Sequence, residues 1–173
     1  MKKNSIPNIF TFINLGCGVL AILSTFEKKF IISCIFIIIA ALVDRYDGRV
    51  ARYLNVSSDI GKQLDSLADL VSFGVAPSIL TYILFNFETL GPNGILGYCL
   101  VVLFPICGAF RLARYNISDF NGVFTGIPIT IAGSFITVLA LIETQSHLSI
   151  IVPIVFIIAF SYLMISKISL KKI

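Results

Sequence analysis

The stretch Asp44-Arg45-Tyr46-Asp47-Gly48-Arg49-Val50-Ala51-Arg52-Tyr53-Leu54-Asn55-Val56-Ser57-Ser58-Asp59-Ile60-Gly61-Lys62-Gln63-Leu64-Asp65-Ser66-Leu67-Ala68-Asp69 decides how the chain is read. It holds five of the nine acidic residues, Asp44, Asp47, Asp59, Asp65 and Asp69, within 26 positions. On either side lie uncharged runs, 30–43 before it and 70–87 after it, too long and too continuously apolar for surface helices of a soluble domain. Two helices joined by the polar turn 55–58 follow, with Asp44 and Asp47 ending the first and Asp65 and Asp69 opening the second. At i,i+3 and i,i+4 spacing each pair shares a helical face, so the hairpin gathers four carboxylates at one end of a bundle.

The rest of the chain fits that reading. Of its 173 residues 57% are hydrophobic and only 13% charged, with a mean hydropathy of +0.98, whereas soluble domains carry about 25% charged residues. An all-α integral membrane protein is expected, with six transmembrane helices over about 9–26, 30–54, 60–87, 95–114, 123–142 and 148–166 forming a single domain, 1–173. Lys2 and Lys3 before the first apolar run resemble a signal peptide, but no small-x-small cleavage site follows, so this run is read as the first span. Pro105 and Pro153 fall inside expected spans, where each is read as a packing kink.

Eleven of the 13 basic residues, Lys2, Lys3, Arg45, Arg49, Arg52, Lys62, Arg111, Arg114, Lys167, Lys171 and Lys172, collect on one side of a six-span arrangement, leaving Lys28 and Lys29 on the other. The positive-inside rule then puts both termini, and the carboxylates, on the cytoplasmic side of the cell membrane. Because these basic residues are scattered between apolar runs, the net charge of +4 marks topology and not a nucleic-acid binder. Cys17, Cys34, Cys99 and Cys107 lie within apolar segments without metal-like spacing and read as small buried hydrophobes. His147 reads as a solvated loop residue.

Four carboxylates at membrane depth each cost about 2.5 to 3.5 kcal/mol to insert, before their mutual repulsion. Arg45, Arg49, Arg52 and Lys62 are possible ion-pair partners. Hard divalent cations shared among the oxygens are the better compensation. Gly48 and Ala51 remove bulk from the face that bears Asp44 and Asp47, Gly61 does the same before Asp65, and Arg52 offers a fork for phosphate. Together they describe a metal-bound diphosphate site.

The pattern Asp44-x2-Asp47-Gly48-x2-Ala51-Arg52-x8-Gly61-x3-Asp65-x3-Asp69 matches the signature of the CDP-alcohol phosphatidyltransferase family, which the chain resembles. That resemblance implies six transmembrane helices, a homodimer, two divalent cations (Mg²⁺ or Mn²⁺) and transfer of a phosphatidyl group from a CDP-linked lipid to an alcohol with release of CMP. Gly61 to Pro77, Arg111-Leu112-Ala113-Arg114-Tyr115-Asn116, Phe124 to Pro128 and the opening Pro7-Asn8-x2-Thr11-x2-Asn14-x3-Gly18 look like the bacterial and archaeal phosphatidylserine synthases. CDP-diacylglycerol and L-serine would then be the substrates.

On this resemblance Asp44, Asp47 and Asp65 are metal ligands, and Asp69 is general base and partial ligand. Gly48, Ala51 and Arg52 would line the CDP, and Gly61 would admit the cytidine or its ribose. Asn8, Thr11 and Asn14, spaced by three, would contact the nucleotide or the serine, or would only satisfy a helix entry at the interface. Arg111 and Arg114 would hold the serine carboxylate or a lipid phosphate, or would only anchor the helix; Asn116 is a weaker addition. Glycerol 3-phosphate or inositol phosphate as acceptor would ask for a further basic cluster. A cation or proton transporter would place its carboxylates nearer the bilayer midplane.

Overall fold

The computed structural model describes the backbone of residues 5–54, 59–117, 123–146, 148–166 and 169–171, and the side chains of 9–46, 59–117, 126–146 and 148–166. Six helical rods make up most of these residues. They are α1 (Ser5–Phe26), α2 (Phe30–Leu54), a continuous third rod, α5 (Ile95–Ile117), α6 (Ile129–Glu143) and α7 (Ile151–Ile165). The third rod consists of α3 (Asp59–Asp69), a π-helical segment Leu70–Val75 and α4 (Ala76–Leu84).

Three stretches, Ile9–Phe26, Asp59–Leu84 and Pro92–Ile117, are long and apolar enough to cross a membrane. The apolar helices α6 and α7 have 15 residues each, about 22 Å at the usual helical rise. The outward faces are apolar, with Phe12, Leu23, Ile106, Phe110, Phe135 and Val155 all exposed, as suits contact with lipid chains. Buried hydroxyls are satisfied within the bundle: Thr81 and Ser78 donate to the carbonyls of Pro77 and Gly74, and Thr137 to that of Gly133. Cys17, Cys34 and Cys107 are buried as expected, but Cys99 points outward from α5. His147 lies outside the described residues.

Two expectations need correction. The span expected over 123–142 begins as a helix only at Ile129. Pro128 caps it in an extended conformation (φ −57°, ψ 139°), and Gly126 has φ +77°, a left-handed turn that excludes most side chains. Before this turn, β1 (Val123–Thr125) pairs antiparallel with β2 (Ser169–Lys171), Phe124 opposite Leu170, a small addition to an otherwise helical fold. Pro153 kinks nothing: α7 starts at Ile151, so Pro153 falls in the first turn, where an N–H has no intrahelical acceptor anyway. Pro105 does lie inside α5.

The proline that reshapes the bundle is Pro77. It has no N–H for the carbonyl of Phe73, and its ring crowds that carbonyl. The helix widens just ahead of it, and the Ala76 N–H reaches back five residues to the carbonyl of Val71. The widened segment sits at the centre of the fold, touching α1, α2, α5 and α6. Two glycines make room for it. A Cβ on Gly18 of α1 would run into the Ser72 backbone, and one on Gly133 of α6 into the Phe73 carbonyl. Backbone therefore meets backbone, the close approach that small residues permit between membrane helices. Phe73, Ala76, Leu80, Ile37, Ile136 and Phe104 fill the core around it.

Candidate active site

Two helices, α2 and α3, bring three carboxylates together at one end of the bundle. Asp44 comes from α2, and Asp65 and Asp69 from successive turns of α3. One carboxylate oxygen of each lies within 4.8 Å of the others. Asp44 and Asp65 are half-buried; Asp69 is 8% exposed. At such separations each pair of negative charges repels by about 3 kcal/mol or more at an effective dielectric constant near 20. The cluster needs positive charge.

The polypeptide supplies part of it. Asn14, on α1 and 1% exposed, donates from Nδ2 to Asp69 Oδ1 at 3.0 Å. Behind it Ser72 Oγ, on the widened segment, donates to the Asn14 carbonyl at 2.9 Å. The orientation of the Asn14 amide follows from chemistry, since an ionised carboxylate only accepts and so must face the NH₂ group. Arg111 approaches from α5, 7% exposed, close enough for its charge to interact with that of Asp69. Among the described residues Arg111 Nε and Asn14 Oδ1 are both buried without a hydrogen-bond partner. Thr11, one turn before Asn14, is also buried and engaged in the structure.

Three carboxylates this close together favour a multivalent cation shared among their oxygens. All the converging atoms are hard oxygen donors, the chemistry that suits Mg²⁺ or Mn²⁺ rather than a thiolate- or imidazole-binding metal. The residues present therefore fit a divalent cation. Beside Asp44, a groove of about 430 Å³ opens between α2 and α6, lined by Arg45, Thr130, Ser134 and the apolar Ala41, Ile131 and Phe135.

Other residues singled out in the sequence fall elsewhere. Arg114 does not point at the carboxylates: it donates to the carbonyls of Ile165 (2.9 Å), Met164 and Ser166 (both 3.4 Å), closing the C-terminus of α7. The Ile127 N–H donates to the Leu163 carbonyl there, so these carbonyls of that helix end find donors. Asn116 latches α5 to α3, donating to Ser66 Oγ at 2.9 Å and to Gln63 Oε1 at 3.1 Å. Lys62 returns a bond to the Asn116 carbonyl and lies 5.3 Å from the centre of the Tyr115 ring. Gly61 is half-buried in the first turn of α3. Asp47, Gly48, Ala51 and Arg52 lie on α2 and Asn8 on α1, but their side chains are outside the described residues.

Ser72 and Gly18 stand in the stretches quoted above, but neither the contact between them nor the π-helical turn was anticipated from the sequence. Their signals were present: Ser72 lies one turn beyond Asp69, Gly18 one turn beyond Asn14, and Pro77 sits inside an apolar helix. What joined them was a contact between α1 and the third rod that no spacing within either helix encodes.

A helical membrane protein with carboxylates gathered at one end of its bundle is the class that fold and site define. Within it, the family model of the CDP-alcohol phosphatidyltransferases matches residues 4–168. The chain is 40% identical over 166 residues to a CDP-diacylglycerol--serine O-phosphatidyltransferase of Bacillus subtilis, covering 95% of this chain and 89% of that protein. It is 38% identical over 144 residues to the protein of that name from Helicobacter pylori, covering 82% of this chain but only 59% of the relative. An archaetidylserine synthase of Methanothermobacter thermautotrophicus is 36% identical over 174 residues, covering 98% of this chain and 70% of its own length. The chain belongs to the CDP-alcohol phosphatidyltransferase family.

Proposed function

We propose that the protein is a phosphatidylserine synthase, transferring the phosphatidyl group of CDP-diacylglycerol to the hydroxyl of L-serine and releasing CMP. The observation that carries this reading is the convergence of Asp44, Asp65 and Asp69 at the positions of the family signature. The names of the relatives support serine as acceptor.

In the reaction the serine oxygen forms a bond to the phosphorus that bears diacylglycerol, the bond from that phosphorus to the CMP oxygen breaks, and the hydroxyl proton leaves to a base. That last role is assigned to Asp69, whose burial and hydrogen bond from Asn14 support the reading. Asp44, Asp47 and Asp65, with Asp69 as partial ligand, would hold two divalent cations, Mg²⁺ or Mn²⁺. Such cations polarise phosphoryl oxygens and neutralise a leaving phosphate. Gly48, Ala51, Arg52 and Gly61, with Asn8 and Thr11 on α1, would form the bed for CDP. The groove beside Asp44 gives a lipid-linked diphosphate a sideways approach from the bilayer. Arg111, and not Arg114, is assigned to the acceptor's carboxylate, because Arg114 is engaged with the end of α7.

The same reading makes 1–173 one catalytic domain that crosses the cell membrane several times, with its termini and active site on the cytoplasmic side, and that works as a homodimer. The direct test is CMP release by the purified, detergent-solubilised protein from CDP-diacylglycerol with Mg²⁺ or Mn²⁺, comparing L-serine, glycerol 3-phosphate, inositol and inositol phosphate. Release dependent on L-serine, with phosphatidylserine as product, is expected. Release with another acceptor only would overturn serine and keep the family chemistry.

A further inference from the structure

The described site contains two buried polar atoms whose chemistry is opposite and unmet. Asn14 Oδ1 is an acceptor, fixed as such because Nδ2 of the same amide faces Asp69. Arg111 Nε is a cationic donor. Both side chains are more than nine-tenths buried, and both act on Asp69, one by a hydrogen bond and the other through its charge. An unpaired buried acceptor or donor costs about 1–3 kcal/mol, more where charge is involved, so each atom favours a ligand that completes it.

One class of small ligand carries groups complementary to both. An α-amino acid carries a carboxylate for the guanidinium and an ammonium for the amide oxygen. A β-hydroxy amino acid adds to these the hydroxyl that the transfer consumes, beside the carboxylate that Asn14 holds. We propose that Asn14 reads the ammonium group of the acceptor through Oδ1 while its Nδ2 holds Asp69, and that with Arg111 it forms a two-point grip selecting a zwitterionic amino alcohol. An acceptor bearing a phosphate or only hydroxyl groups would leave Asn14 Oδ1 without a cationic partner. Asn14 is then both a specificity residue, touching the acceptor, and a positioning residue, acting through Asp69. This rests on the assignment of an acceptor site beside Asp69.

The experiment compares L-serine with 3-hydroxypropionate, which keeps the hydroxyl and carboxylate but lacks the ammonium, in the wild-type protein and in Asn14→Leu and Asn14→Asp. The wild type should favour L-serine by about 30- to 100-fold in kcat/KM, the worth of one charged hydrogen bond. Asn14→Leu should raise the KM for L-serine and bring that preference below about fivefold. Asn14→Asp keeps an acceptor and loses the donor to Asp69, so kcat should fall with both acceptors while the preference for L-serine stays. Thermal stability and CDP-lipid binding report whether each variant is folded.

If Asn14→Leu loses turnover altogether, the same ratio is read as equilibrium binding of labelled L-serine in the presence of CMP and Mg²⁺, displaced by 3-hydroxypropionate. A folded Asn14→Leu protein that keeps the wild-type preference overturns the grip and leaves serine as acceptor standing. A wild-type protein that shows no L-serine-dependent CMP release overturns the acceptor site itself, and the grip with it.

Discussion

At the scale of single residues, two arginines one helical turn apart separate into different tasks. Arg111 and Arg114 are equivalent in the sequence, both basic and both at the end of an apolar helix. In the fold Arg111 is buried near Asp69, and Arg114 closes the end of α7. Replacing Arg111 by Ala should therefore raise the KM for L-serine roughly 10- to 100-fold, as loss of a charged hydrogen bond does, with a smaller effect on the KM for CDP-diacylglycerol. Arg114→Ala should lower thermal stability, by about 1–2 kcal/mol for exposed carbonyl ends, and leave the KM for L-serine within about threefold by the rough tolerance of a distant site. Equal increases in serine KM for both variants would contradict the division. Asp69 belongs to this scale as well. Asp69→Asn keeps the size of the side chain but removes its basicity, so turnover should fall by about a hundredfold or more while CDP-lipid binding, measured without acceptor, persists. Near wild-type turnover would remove Asp69 from the role of base.

At the scale of elements, the widened turn Leu70–Val75 decides how the carboxylates of α3 meet α1. It arises where Pro77 denies the Phe73 carbonyl its ordinary donor, and it is held by backbone contact with α1 at Gly18 and α6 at Gly133. Because a side chain at Gly133 would collide with a backbone oxygen and not with a flexible side-chain tip, the segment cannot yield cheaply. Gly133→Ala should thus destabilise the protein by about 1–3 kcal/mol, the usual penalty of overpacking. Gly18→Ala should do more than destabilise: by pushing α1 away from Ser72 it loosens the hydrogen bond from Asn14 to Asp69, so turnover falls even at temperatures where the variant is fully folded. Thermal unfolding in detergent alongside CMP release at low temperature separates the two effects. A Gly18→Ala protein with unchanged turnover would show that α1 does not position the carboxylate.

At the scale of the whole molecule, the acidic cluster and the distribution of basic residues make independent forecasts. Removal of divalent cations with EDTA should abolish CMP release, and Mg²⁺ or Mn²⁺ should restore it; activity that survives exhaustive chelation would contradict the assignment of the carboxylates. With all six helical rods crossing the membrane, eleven basic residues would fall on one side against Lys28 and Lys29 on the other, which predicts a cytoplasmic C-terminus. A fluorescent-protein fusion at that terminus should be bright and an alkaline phosphatase fusion inactive, and the reverse pattern would invert the topology.

Much of this protein was legible without coordinates, because the signals were local. Long apolar runs require helices in a membrane, where every backbone group must be bonded within its own segment, and the signature aspartates lie at spacings that one or two helical turns enforce. The sequence by itself thus determined the helical class, the family and the clustering of Asp44, Asp65 and Asp69. The contacts of Asn14 and Arg114, the burial of Arg111, the start of α6 at Ile129, and the widened turn were decided by the tertiary structure alone. Each depends on which helix faces which, across separations such as the 55 residues between Asn14 and Asp69, and periodicity within one helix carries no record of its neighbour's phase.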